Sequence, residues 1–342
     1  MRKRWIRFSL IILVTAVFLF FFFRSVDWEE VYRYLRQVNT SIFILTVFLA
    51  PLHLITRAWR WRYLLDQEKK DVKFVNMFAA NAVGFAVNFS LPGRVGEVIK
   101  PLYLARKENI KTGFALSTVL VERIFDMFTM CFLLVVFLLA RPLYSSKLQA
   151  GAKDYSDLYL WGIVGAAIAS GLLIFSLCLY FFRARTLGFL SFLLRPLPPK
   201  ISQKVLSISE EFIAGLKFFR SLRSLVTYVL FSFIVWLGII FYYWVFFHAF
   251  GVSVAYFLLI PYVFLTGVGA SIPSPGMVGG FHYFSKLGMT TFLGVDPNLA
   301  VGVTILVHAV QVVVTCCLGY AILWKEGLTI FQLKKLGEVG AK

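Results

Sequence analysis

Long apolar runs separated by short clusters of Lys, Arg and Pro dominate this chain. Six of them, residues 5 to 23, 41 to 61, 113 to 140, 158 to 182, 225 to 250 and 298 to 324, predict helices that cross about 30 Å of hydrocarbon. The first follows MRKRWIR and runs into FRSVDW without a small-residue cleavage site, so it is expected to remain as a signal anchor. Two further stretches, 74 to 112 and 256 to 296, are broken inside by PGRVGE at 92 to 97 and PGMVGG at 275 to 280. An offset of 183 relates the breaks, and about the same offset relates span 41 to 61 to 225 to 250 and span 113 to 140 to 298 to 324. The chain therefore reads as two related halves, 1 to 140 and 158 to 342, a pattern that points to a transporter whose working site lies where the breaks meet. Between spans four and five, Ile201, Val205, Ile208, Phe212, Leu216 and Phe219 recur at helical spacing, with Lys204, Glu210, Glu211 and Lys217 mostly opposite. That pattern predicts an interfacial amphipathic helix over 201 to 219, preceded by a break at RPLPPK.

Composition fixes the solvent. A chain of 342 residues that is 59% hydrophobic and 18% aromatic cannot hide its apolar surface in a soluble core. The net charge of +18 would suggest nucleic acid in a soluble protein, but here its distribution matters more, and no nucleic-acid partner is expected. With the N-terminus in the cytoplasm, 27 of the 35 Lys and Arg fall on inner segments and 7 on outer loops. Both termini are thus expected inside, in a multi-pass protein of the cell (inner) membrane. If 74 to 91 crossed alone, the eight basic residues of 183 to 223 would face outward, so each broken stretch is expected to enter and leave on one side. The predicted fold class is an all-α polytopic integral membrane protein with six full spans, two re-entrant (or short-span) helical hairpins in two inverted repeats, and one interfacial amphipathic helix.

Chemistry concentrates at the first break. After Pro92 a half-helix can start, whose free N–H groups and positive dipole end attract anions. Gly93 and Gly96 are expected to let a phosphate approach the backbone, while Arg94 and Lys100 supply positive charge. Glu97 is expected either to pair with Arg94 at i, i+3 or to bind the cationic part of a substrate. A second concentration, VERIFDMF at 121 to 128, places Glu122, Arg123 and Asp126 on one arc of a helix, roughly 14 to 20 Å deep. Charges at that depth are either functional or a triad that locks two helices. At the second break Pro275, Gly276, Gly279 and His282 are the matching candidates.

Other reactive residues point elsewhere. His53, His248, His282 and His308 lie on different segments with no metal-type spacing, and no metal or cofactor is expected. Cys131, Cys178, Cys316 and Cys317 read as small core residues. Arg57, Arg60 and Arg62, interleaved with Trp59 and Trp61, read as an anchor at a span end. There is no P-loop, GxSxG or aspartate-rich metal motif.

The stretch SLPGRVGEVIKPLYLARKENIKTGFALSTVLVERIFD, residues 90 to 126, resembles the membrane region of lysylphosphatidylglycerol synthases, and SPGMVGGFHYF, 274 to 284, is similar to that family's second glycine-rich break. The resemblance implies paired re-entrant hairpins, movement of a polar-headed lipid between leaflets, and roles for Arg94, Glu97, Glu122, Arg123 and Asp126. The synthases add a large cytosolic transferase domain, whereas this sequence ends at Lys342, so a stand-alone membrane member is expected. His282 stands where the family pattern often has an acid, which implies a shift away from cationic head groups. The expected function is a lipid translocase acting on an anionic or aminoacylated phospholipid, a glycolipid or a polyprenyl phosphate. The other classes are a membrane-embedded lipid-modifying enzyme and a non-catalytic subunit that recruits a partner transferase. A homo-oligomer is a further option.

Overall fold

The computed structural model describes residues 2–24, 26–66, 68–140, 156–196, 198–214, 216, 221–329 and 332, and the regular structure among them is all helix. In chain order the helices are α1 (Arg2–Phe23), α2 (Trp28–Arg36), α3 (Thr40–Leu49), α4 (Leu52–Leu65), α5 (Phe74–Ser90), α6 (Gly96–Glu108) and α7 (Thr112–Leu139). They continue as α8 (Ser156–Phe181), α9 (Arg183–Leu193), α10 (Pro199–Ala214), α11 (Leu222–Ala249), α12 (Leu259–Ser271), α13 (Gly280–Phe292) and α14 (Pro297–Lys325). Among the described residues three stretches are long and apolar enough to cross a bilayer: Thr40–Leu65, which joins α3 and α4, α11 and α14. At 28 residues α7 matches them in length, but it carries Glu122, Arg123 and Asp126 in its middle. The chain is a polytopic membrane protein.

The stretch Thr40–Leu65 is interrupted at Pro51, where the missing N–H breaks the helical ladder. The turn tightens there, Leu54 N donating to Pro51 O at 2.9 Å, and the imidazole of His53 donates from Nδ1 to Ala50 O at 2.6 Å. A side chain thus takes up a carbonyl at the break.

The two broken stretches are helical hairpins. Their arms, 17 and 13 residues in α5 and α6 and 13 each in α12 and α13, are about 20 to 26 Å long, too short to cross about 30 Å alone. Each tip turns through two consecutive left-handed residues, Gly93 (φ 83°) with Arg94 (φ 54°) and Gly276 (φ 62°) with Met277 (φ 58°). In each hairpin the arms touch backbone to backbone at glycine. A Cβ on Gly96 would lie 1.8 Å from Gly84 O, and one on Gly280 would lie 2.5 Å from Gly269 O. Between helices in lipid, where apolar transfer gives no drive, such small-residue contacts supply the packing. The pairings also cross between halves: α14 packs on α5, and α7 packs on α12. The two larger apolar clusters among the described residues hold Trp61, Val83, Leu104 and Phe125 in one and Leu134, Phe246, Tyr262 and Val303 in the other.

The amphipathic segment forms a helix over Pro199–Ala214, and Lys217 and Phe219 lie outside the described residues. Glu211, which the pattern assigned to the polar face, turns inward instead. Its Oε2 accepts from Gly113 N at 2.9 Å and so caps the start of α7, a place that favours a carboxylate. The cysteines also depart from expectation: Cys131 is buried, whereas Cys178 and Cys317 are exposed. An apolar outer surface accepts small apolar side chains as readily as a core does.

Gly96→Ala is expected to cost at least about 3 kcal/mol, because the methyl meets backbone that cannot yield. Gly93→Ala, with no neighbour within 4 Å, should cost only the left-handed strain of about 1–2 kcal/mol. Thermal unfolding of the two variants in detergent checks this, and equal losses would refute arm contact as the reason for Gly96.

Candidate functional site

A cavity of about 830 Å³ lies between the hairpins and is walled by residues of α3 to α8 and α11 to α14. Its polar end is formed by Arg57, Arg94, Glu97, Arg123 and Asp126, and most of the remaining wall is apolar, including Met127, Ile239, Leu265 and Phe284. On the α8 and α12 side the rim carries exposed Val164, Ile168 and Val268, so the cavity opens laterally onto an apolar surface.

Asp126 organises the polar end. Its Oδ1 accepts from Arg60 Nη1 at 2.6 Å and Trp236 Nε1 at 3.1 Å, and its Oδ2 accepts from Arg57 Nη1 at 3.0 Å and faces Arg123 Nη1 at 3.2 Å. A carboxylate has about four lone-pair sites, and these contacts take all of them. Behind it sits an enclosed group. Glu122 bonds to Lys100 and lies 3.7 Å from Arg60, and Lys100 Nζ stands 4.2 Å from the centroid of the Trp61 ring. The Trp61 indole in turn donates to Thr118 Oγ1 at 2.8 Å.

The sequence candidates divide into two groups. Arg94, Glu97, Arg123 and Asp126 come together at the cavity wall, while Lys100 and Glu122 form the closed pair behind it. Glu97 does not pair with Arg94 as one reading expected. It lies 3.5 Å from Arg123 Nε, while Arg94 Nη2 crosses to the other hairpin and donates to Ala270 O at 2.5 Å. The left-handed turn at Arg94 aims its side chain away from its own helix.

Pro92 and Gly93 shape the first tip, and Pro275 and Gly276 the second, where Gly276 approaches Phe89 O. Gly96 offers no approach to phosphate, because α5 covers it, and Gly279 is packed against Thr15 O of α1. His282 does not reach the cavity wall. It lies between the Phe22 ring at 5.1 Å and the His308 ring at 4.7 Å. His308 does line the cavity and donates from Nε2 to Gly276 O at 2.9 Å. Two histidines that sequence spacing kept apart therefore meet, although among the described residues no group of three or more His, Cys, Asp or Glu is placed to hold a metal.

Sequence reasoning missed Arg57 and Arg60. Both are buried, at 6% and 0% exposure, and belong to the charge cluster rather than to an interface anchor. Their i, i+3 spacing was the available signal: it puts them on one face, away from exposed Trp59. What the sequence lacked was the partner, 66 residues away.

Comparison with known proteins agrees with this architecture. Residues 7–319 match the family described as "Lysylphosphatidylglycerol synthase TM region". The chain is also 25% identical over 120 residues to the UPF0104 membrane protein MJ1595 of Methanocaldococcus jannaschii, which covers 34% of this chain and 36% of that relative. The match thus spans about a third of the length of the curated relative.

Lys100→Met takes from the buried Glu122 its bonded cation, leaving Arg60 at 3.7 Å, and is expected to cost about 3–5 kcal/mol. Adding Glu122→Gln removes the carboxylate charge and should recover more than half of the loss. Thermal unfolding of both singles and the double variant measures the coupling, and additive losses would refute the pairing.

Proposed function

We propose that this chain, which belongs to the lysylphosphatidylglycerol synthase TM region family, is a lipid translocase that holds a phosphate-bearing head group at the polar end of the cavity. The observation that carries the reading is the excess of positive charge there. Arg57, Arg94 and Arg123 at the wall, with Arg60 and Lys100 behind it, have Glu97, Glu122 and Asp126 as their carboxylates among the described residues, so five cations stand against three carboxylates inside a largely apolar protein. Buried charge is costly unless it is paired or serves a ligand pathway, and planar guanidinium forks match phosphate oxygens. The lateral opening beside Ile168 and Val268 supports the same reading, since acyl chains can stay in hydrocarbon while the head group enters.

The contact between Arg94 and Ala270 O suggests how occupancy is linked to movement. A phosphate that takes the Arg94 donors frees that carbonyl and removes a bond between the two hairpin tips. Substrate would then loosen the closure it meets. The two hairpins with their flanking spans act in this reading as inverted repeats that expose the site alternately to each side. The membrane is the cell (inner) membrane with both termini cytoplasmic. Setting aside Arg57, Arg60, Arg94 and Lys100, which belong to the site rather than to loops, the basic residues still favour that orientation.

In proteoliposomes carrying acyl-labelled phospholipids, the native protein should speed redistribution between leaflets without changing lipid mass. Arg94→Ala and Arg123→Ala should each slow it by at least about tenfold, the effect of losing charge-assisted hydrogen bonds. Size-exclusion chromatography keeps the test to folded protein. Undiminished rates in both folded variants would refute the site, and altered lipid masses would point to an enzyme instead.

A further inference from the structure

Resting on the translocation reading, we propose that the substrate lipid ends in a phosphate monoester, a dianion, and that cationic head groups such as aminoacylated ones are rejected. Three features of the cavity carry this. The first is charge. The five cations and three carboxylates of the cluster, with Arg60, Lys100 and Glu122 standing behind the cavity wall, leave two positive charges uncompensated among the described residues. A phosphodiester would leave one of them unmatched, whereas a monoester, at about −1.5 to −2 near neutral pH, cancels both. Unmatched charge in such surroundings is expensive, so this difference should sort lipids.

The second feature is donor geometry. Arg57, Arg94 and Arg123 all face the cavity; the Nε of Arg57 and of Arg94 is buried without a hydrogen-bond partner, while that of Arg123 faces Glu97 at 3.5 Å. Three guanidinium groups converging on one cavity suit three terminal oxygens, and only a monoester presents three. The third feature is the commitment of the acids. Glu97 and Asp126 are the acidic residues of the cavity wall. Asp126 is saturated by four donors, and Glu97 is held by Arg123 at 3.5 Å. The aromatic faces beside them already carry a cation, with Arg57 at 5.8 Å from the Trp236 ring and 5.7 Å from the Phe85 ring. An incoming ammonium finds Asp126 already filled and Glu97 facing Arg123, and it meets net positive charge.

The test compares leaflet redistribution of acyl-labelled phosphatidic acid, phosphatidylglycerol and lysylphosphatidylglycerol in the same proteoliposomes, with a polyprenyl phosphate as a second monoester. Both monoesters should move at least about tenfold faster than the diester, since one enclosed charge is left unmatched by the latter. The lysyl lipid should stay at the protein-free rate. Arg94→Gln, which removes one positive charge, should lower the ratio of monoester to diester rates toward one, and Glu97→Gln should not lower it. A merely structural role for Arg94 would slow all lipids equally and leave the ratio intact, which would overturn the proposal. Equal or faster movement of phosphatidylglycerol or the lysyl lipid would also overturn it while leaving translocation standing. Failure of every lipid to move would refute the translocation reading itself. Uptake of labelled inorganic phosphate without lipid movement would assign the arginines to a soluble anion and overturn both.

Discussion

The carboxylate of Asp126 is the constraint on which the arrangement depends. One side chain of α7 draws in Arg57 and Arg60 from α4, Trp236 from α11 and Arg123 from its own helix. In an apolar interior each of those guanidinium groups would be costly alone, and Asp126 would be costly without them. The four contacts together fix the rotation of α4 and α11 about α7. Apolar packing sets this only loosely, because lipid-facing and protein-facing surfaces are alike in polarity. The cluster is therefore both a structural hub and, through its surplus of cations, the chemically distinctive part of the cavity.

Around that hub the hairpins meet two demands. Their backbones must come close where they turn, which the Gly84–Gly96 and Gly269–Gly280 contacts allow. Their tips must also expose polar backbone only where protein or cavity receives it. Both are met by the same pair of consecutive left-handed residues, yet the equivalent second positions hold Arg94 in one tip and Met277 in the other. Both side chains face the cavity, so the repeated backbone delivers a cation from one hairpin and an apolar group from the other. A polar-headed lipid is two-faced in the same sense.

Much of this was legible in the sequence. The apolar runs, the two Pro-Gly breaks and their common offset identified the helices and hairpins, because helix length and the need to satisfy backbone groups in lipid leave few alternatives. The charged positions Arg94, Glu97, Arg123 and Asp126 were visible as charges at the wrong depth. The roles of Gly96 and Glu211 were not. A glycine that serves close packing looks the same in sequence as one that admits a ligand, and a helix's polar face does not reveal that one of its acids caps a neighbouring helix.

The sequence by itself determined the membrane class, the helical elements and the family, since each depends on local composition or on residues close together in the chain. Only the tertiary structure decided which charges are partners. It gave Asp126 to Arg57 and Arg60, Glu122 to Lys100, and Arg94 to a carbonyl 176 residues away. It also joined His282 to His308 and turned an apparent interface anchor into the wall of a charged cavity. The physical reason is that pairing energy depends on distance and burial, and neither is set for residues on different helices until those helices pack.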